Sequence, residues 1–263
     1  MIDEATLETF KLTGVVKLDG LLPGDIVTAL HEKIRMRMEE TGVLVDGLWT
    51  CENRDRWQVK RVKKIREPLK KARALRDIVT SDVVEVAHAL VPGAREAPLF
   101  YPQLLLTPPN SDTWELPSNV WHVDLPRTGG PECPGVQMFA CIDHIRPKGG
   151  GTLVAAGSHR FINDAGFVRS KNLKKKLKHY DYFKNLLAGK AKTATYMSAQ
   201  QVDGITCEVV ELTGAPGDVW FTDLRILHTL SLNVSNTPRL AATQRFFTPA
   251  SLERMEVPVP GDG

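Results

Sequence analysis

From Ala97 onward the chain is a succession of short apolar runs, LFYPQLLLT, GVQMFACI, TLVAA, CEVVEL, DVWFTD and RLAATQRFF, separated by Pro, Gly and Asn. Runs of this length, rich in β-branched and aromatic residues and bounded by turn formers, read as strands. They follow one another without a helix at each crossover, which a parallel sheet would need, so they predict an antiparallel barrel or sandwich. No GxGxxG or phosphate-binding loop argues for a nucleotide fold. One stretch breaks the pattern: in residues 169–188, Leu173, Leu177, Tyr180 and Leu187 fall at helical spacing and Gly189 supplies a stop. It reads as a helical insertion between strands.

The part before Ala97 is helix-rich. GVVKL reads as a strand, and residues 26–40 as an amphipathic helix with Ile26, Leu30, Ile34 and Met38 on one face. A second helix is expected over residues 81–90, with Ser81 as its cap and Pro92-Gly93 as its end. The expected organisation is one domain over residues 1–263. It has a helix-rich part to residue 95, a β core over 96–250 and a helical lid at about 160–195; the VPVPGDG tail reads as disordered.

Hydrophobic residues at 42% and charged residues at 25% are ordinary for a globular protein. A net charge of +3 is too small to imply nucleic acid, and none is expected as a partner. Cys51, Cys133, Cys141 and Cys207 form no CxxC pair, so neither a zinc ribbon nor a disulfide scaffold is indicated, and a reducing cytoplasm fits. The acidic opening MIDEATLETF does not read as a leader, and no apolar run approaches the roughly 18 residues that span a bilayer.

Chemistry concentrates in Trp121-His122-Val123-Asp124. Alternation along a strand puts His122 and Asp124 on one face, so an imidazole nitrogen and a carboxylate oxygen can meet one ion. Two imidazoles and one carboxylate, with the opposite face open, suit non-haem Fe(II). The best candidate for the second histidine is His228, in the strand-like GDVWFTDLRILH, because an early and a late strand of a barrel can lie side by side.

Several segments, in order, resemble the phytanoyl-CoA dioxygenase family of Fe(II)- and 2-oxoglutarate-dependent oxygenases. WHVD resembles its WHxD. VQMFACIDHIRPKGGGTLVAAGSHR resembles its strand, turn, strand and PGSH segment, and GDVWFTDLRILHTLSLNVSNTPRLAATQRFF its closing GD…H…N…R block. FKLTGVVKLDGLLPGDIVTAL is similar to its opening strand and helix. The resemblance covers the chain except the basic segments near residues 50–75 and 160–195. It implies a mainly β fold with flanking helices, a double-stranded β-helix (jelly roll, cupin-like), with Fe(II) on His122, Asp124 and His228 and with 2-oxoglutarate and O2 as cosubstrates. Arg239, eleven residues beyond His228, then binds the remote carboxylate, whose shape a guanidinium fork matches.

Asn233 also matches the family pattern. Where members often carry a small hydroxyl residue two positions after the distal histidine, this chain has Leu230, which leaves neighbouring Ser231 as the hydroxyl candidate. Gln103 and Gln137, polar residues in apolar strands, are candidates for the iron-proximal end of 2-oxoglutarate. Alternation sets Gln137 with Phe139 and Cys141. Asp143, His144, Ser158 and His159 are read as loop-fixing residues, and Trp121 and Trp220 as pocket walls or plain core.

The implied reaction is hydroxylation of an unactivated C–H bond of a small molecule, with succinate and CO2 as coproducts. Desaturation, cyclisation and epoxidation share its first step. A carboxylate at Asp124 argues against halogenation, which needs that place for a halide. The rivals are a non-catalytic cupin-like binding protein and a zinc hydrolase, for which no base is supplied. Of the 34 Lys and Arg, 11 lie in residues 54–76 and 10 in 160–192, which is either a solvated surface or a basic entrance for an acidic substrate.

Overall fold

The computed structural model describes residues 2–49, 57–71, 73–97, 100–118, 120–124, 132–162 and 170–256. Cys51, the first part of the proposed lid (residues 163–169) and the VPVPGDG tail lie outside the described residues.

The chain opens with α1 (Glu4–Thr13), capped by the Asp3 carboxylate, which accepts the Thr6 N–H at 2.8 Å. Gly14 ends it at φ 75°, a left-handed conformation cheap for glycine, and turns the chain into β1 (Val15–Leu18). In α2 (Gly24–Glu40) the buried face is Val27, Leu30, Ile34 and Met38, with Ile26 only half-buried. Steps of four drift round a helix of 3.6 residues per turn, and Val27 rather than Ile26 keeps the stripe facing the core. A hairpin, β2 (Leu44–Val45) and β3 (Leu48–Trp49), precedes α3 (Trp57–Lys71) and α4 (Ser81–Leu90). Thr80, not Ser81, caps α4: its extended backbone aims the hydroxyl at the Val83 N–H.

The strands that follow are β4 (Arg95–Glu96), β5 (Gln103–Thr107), β6 (Gly135–Cys141) and β7 (Thr152–Ala156). After α5 (Ser170–Leu177), α6 (Asp181–Leu187) and α7 (Thr193–Tyr196) come β8 (Gln200–Val202), β9 (Ile205–Glu211), β10 (Val219–Asp223), β11 (Leu227–Leu230), β12 (Arg239–Phe247) and α8 (Pro249–Glu256). All pairings are antiparallel among the described residues. The larger sheet runs β1-β10-β6-β12-β4 with β5 also on β12, and the smaller runs β11-β7-β9-β8. Val15 and Phe139 of the larger sheet meet Val154 and Ala156 of the smaller, so the two sheets face each other in the jelly-roll arrangement expected.

Register explains where chemistry can sit. On the outer face of the larger sheet Leu104, Leu106, Val136, Met138, Ala140, Val219, Phe221, Leu240, Ala242 and Phe246 pack against α2, α3 and α4. Each of the larger of these side chains, the two alanines aside, contributes about 1.5–3 kcal/mol by leaving water. The inner face is different. It aligns Thr107 with Arg239, Gln103 with Thr243 and Phe139, and Arg245 with Gln137. The inner face thus carries a row of polar side chains along β12 and its neighbours.

The helical insertion does not lie free as a lid. Leu173 and Leu177 of α5 and Phe183, Leu186 and Leu187 of α6 are buried with Leu153, Ala155, Cys207, Val209 and Leu227, the outer face of the smaller sheet. That face is apolar, and these helices cover it; swinging them away would expose it.

His31 on α2 meets Asp143 in the turn after β6 at 3.5 Å. The contact raises the histidine and lowers the carboxyl from their ordinary values, in each case chiefly through their hydrogen bond. The His31 contribution is complete below the ordinary value of about 6.5 and fades as pH rises through the higher folded value. The Asp143 contribution is complete above the ordinary value of about 3.9 and fades as pH falls through the lower folded one. Urea unfolding of wild type and His31→Gln should therefore differ most near about pH 5 and converge above about pH 9. The gap should stay below about 1 kcal/mol because both groups are substantially exposed. A gap that widens with rising pH would exclude the pairing.

Candidate metal centre

His122 and His228 meet through their backbones. They form an antiparallel bridge in which each N–H donates to the other's carbonyl at 2.9 Å. His228 belongs to β11, set opposite Val154 of β7. The WHVD segment forms only this one bridge rather than a full strand, yet its alternation holds: Trp121 and Val123 are buried among the helices covering the smaller sheet, while His122 and Asp124 turn inward. The Trp121 indole N–H donates to the Pro117 carbonyl at 2.8 Å and anchors the segment.

Each imidazole is oriented in the same way. Nδ1 of His122 lies 2.9 Å from the Val120 carbonyl and Nδ1 of His228 lies 3.1 Å from that of Ile226. In the neutral ring a proton donated there leaves the lone pair on Nε2, whereas in the protonated ring Nε2–H donates to the carboxylate it faces. Both Nε2 atoms face Asp124 Oδ1, at 3.4 and 3.6 Å, and the candidate ligand atoms all lie within 4.8 Å of one another. The other oxygen, Oδ2, is in contact with Nη2 of Arg245. Burial pushes the Asp124 carboxyl up, but the two histidine hydrogen bonds and the Arg245 charge outweigh it and hold it well below the usual carboxylate range. The hydrogen bond to Asp124 raises His122. An ionised carboxylate beside two imidazoles whose Nε2 atoms offer lone pairs once their protons leave, with His122 half-exposed, is a donor set that fits Fe(II).

Arg239 begins β12 and is 3% exposed. Its Nη1 donates to the Thr152 hydroxyl at 3.0 Å, while Nε and Nη2 are buried without a partner. Burial pushes the guanidinium down to about 10, so it stays charged at neutral pH. Two orphaned N–H groups of a buried cation cost about 1–3 kcal/mol each unless something accepts from them, and a carboxylate fits that demand. Thr152 and Val154 are alternate residues of β7, so one strand carries the Arg239 partner and the residue paired with His228. The residues present therefore fit both an iron ion and the diacid 2-oxoglutarate.

The remaining candidates divide. Gln137 is buried on the inner face, where its amide donates to Thr243 Oγ1 at 3.0 Å and that hydroxyl donates to the Met138 carbonyl. Gln103 pairs with the same Thr243. Both lie toward the Arg245 end of the face, away from Arg239. Ser231 accepts the Trp114 indole N–H at 2.8 Å and donates to the Leu232 carbonyl, and Leu230 is exposed. Asn233 is wholly buried and spans its own turn: its amide donates to the Thr107 and Thr237 carbonyls and its oxygen accepts from Ser235. That leaves it shaping the loop that leads to Arg239 rather than reaching a cosubstrate. Ser158 accepts the Leu227 N–H and so steadies β11; His159 meets the Lys11 carbonyl. Arg245 was absent from the sequence reading. Its signal was parity, since in RLAATQRFF it stands an even number of residues from Arg239 and shares its face.

Comparison with known proteins agrees with this geometry. Solved structures of the same fold include AviO1 from Streptomyces viridochromogenes Tue57 (18% identity, TM-score 0.57, 99% of each chain covered). EctD from S. alaskensis is similar at 18% identity and TM-score 0.58, over 95% of this chain and 78% of that one. The carbocyclase SnoK from nogalamycin biosynthesis is similar at 16% identity and TM-score 0.56, over 94% and 84%. No curated protein sequence matches the chain. The profile of the family described as phytanoyl-CoA dioxygenase (PhyH) matches residues 10–241, which span the two-histidine-one-carboxylate cluster and Arg239. The chain thus belongs to the phytanoyl-CoA dioxygenase family and is an Fe(II)- and 2-oxoglutarate-dependent oxygenase.

Proposed function

We propose that the chain acts as a single oxygenase domain that hydroxylates an unactivated C–H bond of a small, acidic or natural-product molecule. In this reading His122, Asp124 and His228 hold the iron and Arg239 the remote carboxylate of 2-oxoglutarate. Bound together, the ion and cosubstrate supply an oxidant strong enough to attack such a bond, with succinate and CO2 released. The protein's part is positioning and exclusion of water. Two observations carry the proposal: the orphaned donors on buried Arg239, and a carboxylate facing two oriented imidazoles. A non-catalytic barrel has no use for a buried cation left that way.

The substrate side is argued from the rim. His122 is half-exposed, Val120 and Leu230 next to the two histidines are exposed apolar residues, and the charge of Lys174 on α5 is felt at His122. An amphipathic acid suits this: apolar carbon near the centre and its anionic end toward α5. SnoK is described as a carbocyclase, and SnoN, similar at 14% identity and TM-score 0.53, as an epimerase crystallised with Fe3+, α-ketoglutarate and nogalamycin RO. Ring formation is therefore kept as the second outcome. The free thiols of Cys133, Cys141 and Cys207 favour a reducing cytoplasm, and among the described residues no helix is long and apolar enough to cross a membrane.

The test is a screen of acidic and neutral metabolites with Fe(II), 2-oxoglutarate and isotopically labelled O2. Succinate in step with a product one labelled oxygen heavier is expected, and Lys174→Glu should raise KM for it. A product two hydrogens lighter would replace hydroxylation by ring closure or desaturation, and turnover of neutral compounds alone would overturn the acidic class.

A further inference from the structure

The two oxygens of Asp124 have different neighbours. Oδ1 faces both imidazole Nε2 atoms at 3.4 and 3.6 Å, while Oδ2 is taken by Nη2 of Arg245. Resting on the reading of this cluster as an iron site, we infer that Arg245 is a positioning residue: it holds Asp124 to one-oxygen binding and thereby keeps one coordination position of the ion open.

Arg245 lies on β12, a strand bonded on both sides, where it is paired with Gln137 of β6 and followed directly by Phe246 and Phe247, which pair with β4 as well. Its side chain is 17% exposed, and its Nε is buried without a partner. Asp124 stands two residues beyond the single bridge that ties its segment to β11. With its backbone set in β12 and its Nε buried, Arg245 meets Asp124 from the side away from the imidazoles' oxygen, so that contact aims Oδ1 at the two histidines.

Counting positions shows why the aim matters. A six-coordinate ion held by two histidines and one carboxylate oxygen would keep three positions for other ligands. A cosubstrate taking two of them would leave one for a small gas molecule. If both oxygens of Asp124 turned to the ion, that last position would fill. A guanidinium on Oδ2 opposes this twice, by a charge-assisted hydrogen bond that must break and by repulsion between two cations brought together.

This gives an unusual sign. Removing a residue that merely stabilises the fold weakens metal binding. Removing Arg245 should leave Fe(II) affinity equal or tighter, since a repelling charge is gone and a second oxygen is freed, while access to the last position falls. The probe is nitric oxide, added anaerobically to protein with Fe(II) and 2-oxoglutarate. The visible metal-to-cosubstrate absorption band reports the loaded centre, and the high-spin iron–nitrosyl EPR signal reports the open position. Arg245→Met is expected to keep the band and to need roughly tenfold more nitric oxide for the same signal, the size of one lost charge-assisted hydrogen bond. Arg245→Lys, which keeps the charge but not the reach of the fork, should fall between. A band and nitrosyl signal in Arg245→Met equal to wild type would overturn the inference, as would loss of Fe(II) binding in a folded variant. If Arg245→Met loses its thermal transition, Arg245→Lys decides: a wild-type nitrosyl response there overturns it. Absence of the band in wild type would instead overturn the iron reading itself.

Discussion

His228→Ala is expected to bind Fe(II) more than about 100-fold more weakly than wild type, since even residues that only orient a metal ligand are worth 10- to 100-fold. Anaerobic addition of Fe(II) and 2-oxoglutarate should give wild type a visible charge-transfer band and the variant none. The fold should survive, because the bond that joins His228 to His122 is made by backbone atoms that alanine retains, at 2.9 Å in both directions. Circular dichroism close to wild type, with the band gone, is the combined result expected. A variant that retains the band would mean that the ion is held elsewhere.

Arg239→Met should change function and stability in opposite directions. Truncating one partner of a buried charged pair costs about 2–5 kcal/mol, so the Kd for 2-oxoglutarate should rise by at least about 30-fold. Without cosubstrate, the same change removes two buried donors that nothing satisfies and should stabilise the chain by about 1–3 kcal/mol. Cosubstrate then reverses the order, because at 100 times its Kd it stabilises wild type by about 2.7 kcal/mol and barely binds the variant. Urea midpoints with and without 2-oxoglutarate test both halves. An Arg239→Met chain that is less stable without cosubstrate would show that the bond from Nη1 to Thr152 outweighs the two unsatisfied donors.

Much of this site was legible in the linear sequence because the relevant rule is local. His122 and Asp124 are two apart, Gln137 is two from Phe139, and a strand needs nothing more to put them on one face. The helix stripe ending at Leu30, Ile34 and Met38 followed from the same kind of counting, and it erred only at Ile26, where the drift of a 3.6-residue turn hands the position to Val27. What the helical insertion packs against was not legible in the sequence, for a physical reason. Periodicity shows that α5 and α6 have an apolar face but not what it covers, and the outer face of the smaller sheet was already there to be covered. Asn233 shows a similar limit: spacing places it in the family pattern, but only its hydrogen bonds show that it spends its amide on its own turn.

What the amino-acid order determined by itself, then, was the identity of the strands, which residues share a face, and, through resemblance, the family and the candidate ligand set of two histidines, one carboxylate and Arg239. Tertiary structure alone decided who meets whom. The backbone bridge between His122 and His228, the sharing of β7 by the His228 and Arg239 neighbourhoods, and the contact of Arg245 with the second oxygen of Asp124 all join residues about 70 to 120 positions apart. Such contacts depend on sheet order and register, set by the summed burial of many side chains, and no short window of sequence carries that sum.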